Sequence, residues 1–426
     1  MVGWSRRAAL LGLGGAALSC AARRPSAVPR PGSAVGGLVT TDAELDAFAE
    51  LQGLCDGVQA PDAAEWAEHR AAVRARLVEL DLAAIVLEPG PNMSYVGGPS
   101  WGRSERPFLL VLPREGPPVI LCPAFERRTV LERVADHELL LWREHEDPFA
   151  RAGSGLAGLH GQRIAVDPTM RQFVAAGLER AWPTARWVRE DVAVGPCRII
   201  KRPAELARLR TANEATQQAI AAVRRRVVVG TPQSEIQGWV EQALRRAGLE
   251  DPWVLALVGP AASFPHGTAE SREVRPGDAV LIDTGGSLHG YRSDISRTFV
   301  VGDPSAALRR AWDTVAAAQR AALAAIRPGV TTGAIDAVAR AVMAEAGYGA
   351  DDRYFTHRLG HGIGLEVHEP PYLAGGTPTV LAAGMTMSDE PGIYVAGEFG
   401  VRLEDIVVVT AGGADVFGEL GAPRLE

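Results

Sequence analysis

Apolar residues recur at three- and four-residue spacing over 62–80, and the chain then changes to short apolar runs at 83–87, 108–112 and 119–121, separated by Pro and Gly. The first pattern buries one stripe of a helix, whereas unbroken apolar runs bounded by turn residues fit buried strands. The first half is therefore expected to be mixed α/β. Within it, Pro91-Asn92-Met93-Ser94-Tyr95 reads as a turn leading into a strand. A second region begins near Arg198 with a helix expected over 203–229. Thr231 and Pro232 supply an N-cap and first helical residue for the next helix, in which Ile236, Val240 and Leu244 recur until Gly248 stops it. Asp303-Pro304 opens a third in the same way, with Leu308, Trp312, Val315, Ala322 and Ile326 on one side. Ile335, Val338 and Val342 mark a fourth, ended by Gly347. Strand-like runs occupy 279–283, 296–301, 385–390 and 401–409.

Length and charge narrow the picture. A chain of 426 residues, 47% hydrophobic and 22% charged, has room for about two domains, which the change of pattern places at 41–197 and 198–426. With 44 basic and 51 acidic side chains the net charge is -7, which argues against nucleic acid as a partner. Arg224, Arg225 and Arg226 end an amphipathic stretch and read as a solvated helix face. Residues 1–20 combine two arginines, an apolar run from Ala8 to Leu18 and small residues near the end, the anatomy of an export signal. The apolar run is about half of the roughly 20 residues that a membrane-spanning helix needs. Ser5-Arg6-Arg7 ahead of Leu10-Leu11 resembles a twin-arginine signal, with Ala9 where an aromatic is common, and implies export of a folded protein to the periplasm or beyond. Ala17-Leu18-Ser19-Cys20 resembles a lipoprotein box with leucine one place too near the cysteine, so a lipid anchor at Cys20 is the alternative to simple cleavage. The Pro- and Gly-rich stretch that follows completes a signal and linker over 1–37. Without Cys20 there remain Cys55, Cys122 and Cys197, an odd set without metal-site spacing, which read as small buried apolar residues.

The chemistry concentrates in the second region. The apolar run 279–283 ends in Asp283, and Gly285-Gly286 then turn the chain toward Asp294, so two carboxylates meet across a hairpin. Burying such a pair uncompensated is costly, and a cation between them is the economical explanation. Residues 356–369 hold His357, His361 and His368, three of nine histidines, with glycine on both sides of His361. Another strand ends in Glu390, and Arg402 and Glu404 stand two apart, as on one face of a strand. Asp283, Asp294, His361, Glu390 and Glu404 together make a hard, oxygen-rich donor set. It suits two divalent ions of the manganese, cobalt, iron or zinc kind, and its lack of thiolates argues against structural zinc.

The order LIDTGG, GYRSD, GHGIG, EPG and RLED resembles the pita-bread metallopeptidases, which include methionine aminopeptidase, prolidase and aminopeptidase P. The resemblance spans 198–410 and implies an α/β (α+β) fold. A pita-bread catalytic domain would be preceded by a smaller creatinase/prolidase-type domain, which favours proline-specific members. It also implies a homodimer and, as cofactor, two divalent ions, manganese foremost. Asp283 would bind one ion, His361 and Glu390 the other, and Asp294 and Glu404 would bridge them, with a hydroxide between the metals as nucleophile. The candidate catalytic residues are His266, near the leaving nitrogen; His368, supporting the tetrahedral intermediate; Glu390, the general base; and Arg402. The implied activity is hydrolysis of Xaa-Pro bonds in proline-containing peptides, by an aminopeptidase or a dipeptidase. Prolidases often carry a product-binding arginine in the loop after His368. Here 369–389 holds neither Arg nor Lys, Tyr372 stands near the expected place, and Arg402 or Arg103 is the substitute to look for. A creatinase-like hydrolase or a lyase of small zwitterions on the same fold, or a non-catalytic binding module, are the rival readings.

Overall fold

Strands that are apolar on both faces need cover on both faces, and the first half of the chain is built to supply it. In the computed structural model, which describes residues 47–134, 136–421 and 425, six strands form one sheet. They are β1 (Ala84–Leu87), β2 (Leu109–Pro113), β3 (Val119–Pro123), β4 (Glu138–Trp142), β5 (Arg163–Val166) and β6 (Arg186–Val188), in the order β4-β3-β2-β1-β5-β6. β1 runs antiparallel to β2 and parallel to β5. Alternate side chains enter separate cores. Ile85, Leu87, Leu110 and Leu112 join Val73 and Leu77 of the helix Ala63–Glu79. Ala84, Val86, Leu109 and Val111 join Phe149 of Pro148–Gly155 and Leu178 of Gln172–Ala181. The expected export signal and linker, and the expected start of this domain near Thr41, lie outside the described residues.

Pro91–Tyr95 corrects the turn-into-strand expectation. It is a short helix opened by its proline, and Asn92 accepts a hydrogen bond from Arg198 at 2.7 Å. Cys55 and Cys122 are buried, Cys197 is partly so, and none is paired among the described residues. No described helix is long and apolar enough to cross a membrane.

The second half repeats one arrangement: a pair of helices over an antiparallel sheet. Helices Pro203–Arg224 and Gln233–Arg246 cover β7 (Glu250–Val258), β8 (Ala279–Leu288) and β10 (Ile295–Val300), with β9 (Tyr291–Arg292) paired to the end of β8. Ala215, Ala219, Ile236 and Val240 meet Val280, Ile282 and Phe299 there. Helices Ala306–Ala325 and Thr332–Glu345 cover a sheet of order β12-β11-β13-β16-β17. Its strands are β11 (Gly360–Gly362), β12 (Glu369–Leu373), β13 (Thr386–Asp389), β16 (Asp405–Val409) and β17 (Ala414–Val416), and the hairpin of β14 (Gly392–Val395) and β15 (Phe399–Arg402) joins the same core.

Boundaries shift where local chemistry decides them. The first helix stops at Arg224 rather than near 229, since Val228 and Val229 find no core and stand exposed. Thr231 is spent on that turn, its hydroxyl accepting from the Val228 amide, so Pro232 takes the N-cap place. Ser305, not Asp303, caps the third helix by accepting from the Leu308 amide. The run 401–409 is two strands, broken at Leu403 and Glu404. Arg224 is only half-exposed, its guanidinium over the Phe299 ring, whereas Arg225 and Arg226 are solvated.

A buried ionic cluster ties the two halves together. Arg198 donates to Asn92 in the first half and to Glu366 and Glu369 in the second, and Lys201 reaches Glu369 at 2.7 Å. Burial works against the Glu369 charge, but Lys201 and Arg198 outweigh it and hold the carboxyl below its usual range. The segment fixed in this way directly follows His368.

Candidate metal centre

β8 carries its apolar run up to Asp283, which pairs in register with Ser296 of β10. The Ser296 hydroxyl lies 2.9 Å from Asp283 Oδ1 and 2.8 Å from Glu404 Oε2, and accepts from Arg402 Nε at 2.8 Å. One hydroxyl has one proton, so it serves one carboxylate at a time while Arg402 holds its other side. Beyond Asp283 the strand must cross closely under the return of the hairpin. A Cβ at Gly285 would fall 1.8 Å from the Ser293 carbonyl oxygen, so only glycine fits. The return brings in Asp294, whose amide donates to Asn213 Oδ1 at 3.0 Å.

His361 enters from β11, which lies close against β13. A Cβ at Gly360 would fall 2.0 Å from the Ser388 carbonyl oxygen, which explains the glycine beside the histidine. His361 Nδ1 sits 3.1 Å from the Gly362 carbonyl oxygen, to which a protonated Nδ1 can donate, and Nε2 faces inward. Nε2 lies 3.1 Å from Glu390 Oε1 and 3.6 Å from Asp294 Oδ2. The donor atoms of Asp283, Asp294 and Glu404 lie within 4.8 Å of one another, as do those of His361, Glu390 and Glu404, and of Asp294, His361 and His368. All five expected ligands are thus brought together.

Two features show what this convergence lacks. Asp294 Oδ1 and Glu404 Oε1 are buried without a hydrogen-bond partner among the described residues, each a cost of about 1–3 kcal/mol. Burial, and then the neighbouring carboxylates, raise both acids well above their ordinary range. For Glu390 burial acts in the same direction, but the hydrogen bond and charge of His361 outweigh it and bring the carboxyl down to about 2. Unpaired buried oxygens, mutually repelling carboxylates and one inward-facing imidazole nitrogen fit hard divalent cations.

The residues open on a cavity of about 690 Å³ that also takes in His266, His368 and Arg402, so every sequence-predicted site residue lines one space. Trp253, Leu255, Pro265 and Val367 give it an apolar wall. His266 and His368 are exposed, and the His368 ring lies 4.1 Å from that of His361. Partial desolvation, then the charges of His361 and Arg358, pull the His368 pKa down.

Some expectations need correction. Arg402 and Glu404 do not share a strand face: β15 ends at Arg402, and the Glu404 amide turns to donate to the Ser296 carbonyl at 3.0 Å. They meet at Ser296 Oγ because the chain breaks there. Arg103 is not in the cavity; it donates to the Pro89 carbonyl at 2.8 Å and to Thr169. Arg402 is buried and committed to Asp283 at 2.6 Å, Tyr394 at 2.8 Å and Ser296, and so has no free face for a product. Its own burial opposes its charge, but Tyr394 and Asp283 raise its pKa well above normal.

Sequence reasoning missed the residues behind Arg402. His357 Nε2 lies 2.8 Å from the Tyr394 hydroxyl, which accepts from Arg402 Nη1 at 2.8 Å, while His357 Nδ1 lies 2.8 Å from the Arg358 carbonyl. Burial lowers the His357 pKa and favours the neutral ring. His357 stood in the quoted histidine cluster without a role; nothing in the sequence marked Tyr394, Ser296 or Trp253.

Comparison with known proteins adds independent findings. Residues 207–411 match the model of metallopeptidase family M24, and residues 69–200 that of the creatinase/prolidase N-terminal domain. The chain is 37% identical over 361 residues to a protein of Mycobacterium tuberculosis named probable dipeptidase PepE, covering 83% of this chain and 94% of that one. It is 32% identical over 350 residues to an Xaa-Pro dipeptidase of Lactobacillus delbrueckii, covering 78% and 93%. The solved structure of a prolidase from Thermococcus sibiricus superposes with a TM-score of 0.78 at 28% identity, covering 86% of this chain and 99% of that one.

Proposed function

Because the chain belongs to metallopeptidase family M24, we propose that it is a metal-dependent exopeptidase hydrolysing Xaa-Pro bonds. The observation that carries this reading is the meeting of Asp283, Asp294, His361, Glu390 and Glu404, with unpaired buried oxygens, in a cavity with an apolar wall. We assign Asp283 to one ion, His361 and Glu390 to the other, and Asp294 and Glu404 to both. When bound, such ions polarise a carbonyl and make water acidic enough to attack near neutral pH.

The chain's own residues do the rest. Glu390, ionised at neutral pH, is the acceptor for the attacking water's proton and the carrier that delivers it to the proline nitrogen. His266 is assigned to that leaving nitrogen, and His368 to the carbonyl oxygen as it gains charge. Arg402, through Asp283 and Ser296, positions ligands rather than touching substrate. The apolar wall excludes water and receives the flanking side chains. An Xaa-Pro bond has no amide hydrogen, so a site that needs no grip on that hydrogen suits it.

The finer assignments are part of the same proposal: manganese as the resident ion, a homodimer, an export signal and linker over 1–37, and a division into 41–197 and 198–426. The test is to strip the purified protein of metal, reload it with Mn, Co, Fe or Zn singly, and offer Xaa-Pro dipeptides, longer Xaa-Pro peptides and Xaa-Ala controls. Cleavage confined to Xaa-Pro bonds and dependent on metal is expected. Indifference to proline, or no hydrolysis with any metal, overturns the reading. Sedimentation tests the dimer. For export, lysines in place of Arg6 and Arg7 should leave active, uncleaved enzyme inside the cell, and continued export with signal removal would refute the twin-arginine route.

A further inference from the structure

Arg358 is the arginine of this cavity that no side chain among the described residues pairs. It lines the space with His368, Glu390 and the apolar wall, and is half-buried. Among the described residues its guanidinium makes no hydrogen bond or ion pair; it lies over the Tyr372 ring, 4.4 Å from the centroid. Tyr372 pairs in register with His361, so the ring that supports Arg358 is fixed to the hairpin that carries a proposed ligand. The backbone beneath is tethered as well. The His357 carbonyl accepts from Arg340 at 2.9 Å, the Arg358 carbonyl lies 2.8 Å from His357 Nδ1, and the Leu359 amide donates to Asp336 at 3.1 Å.

A guanidinium seated over an aromatic ring and without a polar partner among the described residues can receive a carboxylate through two parallel hydrogen bonds. The other arginine of the cavity is spent on Asp283, Ser296 and Tyr394, and the loop 369–389 contains no Arg or Lys. Arg358 is thus the arginine of the cavity left to take a substrate's terminal charge. In a dipeptide the terminal carboxylate lies only about one residue, roughly 3.5 Å of chain, beyond the scissile bond, and so falls within the same cavity. In a longer peptide that place is taken by a neutral amide.

We propose that Arg358 binds the C-terminal carboxylate of a dipeptide and makes this protein a dipeptidase rather than an aminopeptidase for longer chains. The inference rests on the Xaa-Pro reading for the identity of the acid, and its test is a binding measurement that needs no turnover. The probe is a reduced-amide analogue of Ala-Pro, in which a methylene replaces the peptide carbonyl, compared with its C-terminal amide by calorimetry on metal-loaded protein. Wild type should bind the acid about 10- to 100-fold more tightly than the amide, as expected for a charge-assisted pair. Arg358→Met should abolish that ratio with amide binding and metal content unchanged, and Arg358→Lys, which keeps a point charge, should retain part of it. Equal affinity of wild type for acid and amide overturns the proposal, as does an equal loss of both in Arg358→Met. Absence of Xaa-Pro hydrolysis by wild type would instead refute the activity, while the acid-to-amide ratio still decides the role of Arg358.

Discussion

Replacing Ser296 with alanine removes one hydroxyl that three site residues share. It sits 2.9 Å from Asp283, 2.8 Å from Glu404 and 2.8 Å from Arg402 Nε. Its loss takes a hydrogen bond from a buried carboxylate, worth about 1.5–3 kcal/mol for a charged partner, and leaves Arg402 Nε without an acceptor, a cost of about 1–3 kcal/mol. Arg402 keeps its bonds to Asp283 and Tyr394, so the low end of the combined range applies, about 2.5 kcal/mol in the metal-free protein. Metal affinity should fall by about 10- to 100-fold, the usual effect of removing a group that orients ligands from behind. The assays are urea unfolding of the metal-free protein and titration of Mn against a competing chelator, with wild type alongside. A variant that unfolds more easily but binds metal like wild type would mean that the hydroxyl only fills the core. Wild-type behaviour in both assays would refute the view that Ser296 organises the site.

His361→Ala and Glu404→Gln should each abolish turnover and lower bound metal by more than the about 10- to 100-fold of an orienting residue, with circular dichroism unchanged; near wild-type activity in either would show that the ligand assignment is wrong. His266→Ala should lower kcat by about 100-fold with metal content intact, as for a proton-handling group, and metal loss in that variant would place it among the ligands instead. The raised pKa values of Asp294 and Glu404 give the metal-free fold more bound protons than the unfolded chain has. Their stabilising contribution is therefore present below the ordinary carboxylate range and is lost as pH rises through the raised values. The Tm of metal-free protein should fall with rising pH while the gain on adding Mn grows, since metal binds the deprotonated ligands. Scanning calorimetry at about pH 5 and about pH 8 checks this, and a metal-induced gain that shrinks with pH would contradict it.

The order of motifs picked out the residues that the fold brings together because strand ends, glycine turns and a histidine among glycines are local features. Asp283 closes an apolar run, and Gly360 is needed where β11 meets β13, so each leaves a trace in its immediate neighbours. The helices of the second half were legible for the same reason, since their buried stripe repeats every turn, although caps such as Ser305 moved their ends by a few residues. Tertiary structure alone decided what stands behind and beside the ligands. Ser296 lies 108 positions from Glu404 and Arg402 lies 119 from Asp283, and their contacts exist only because two sheets close on one cavity. The same packing buried Arg402, carried Arg103 away from the site and left Arg358 lining it without an ion-pair partner among the described residues. A sequence marks a charged side chain, but whether that charge is already paired depends on partners that folding brings from far along the chain.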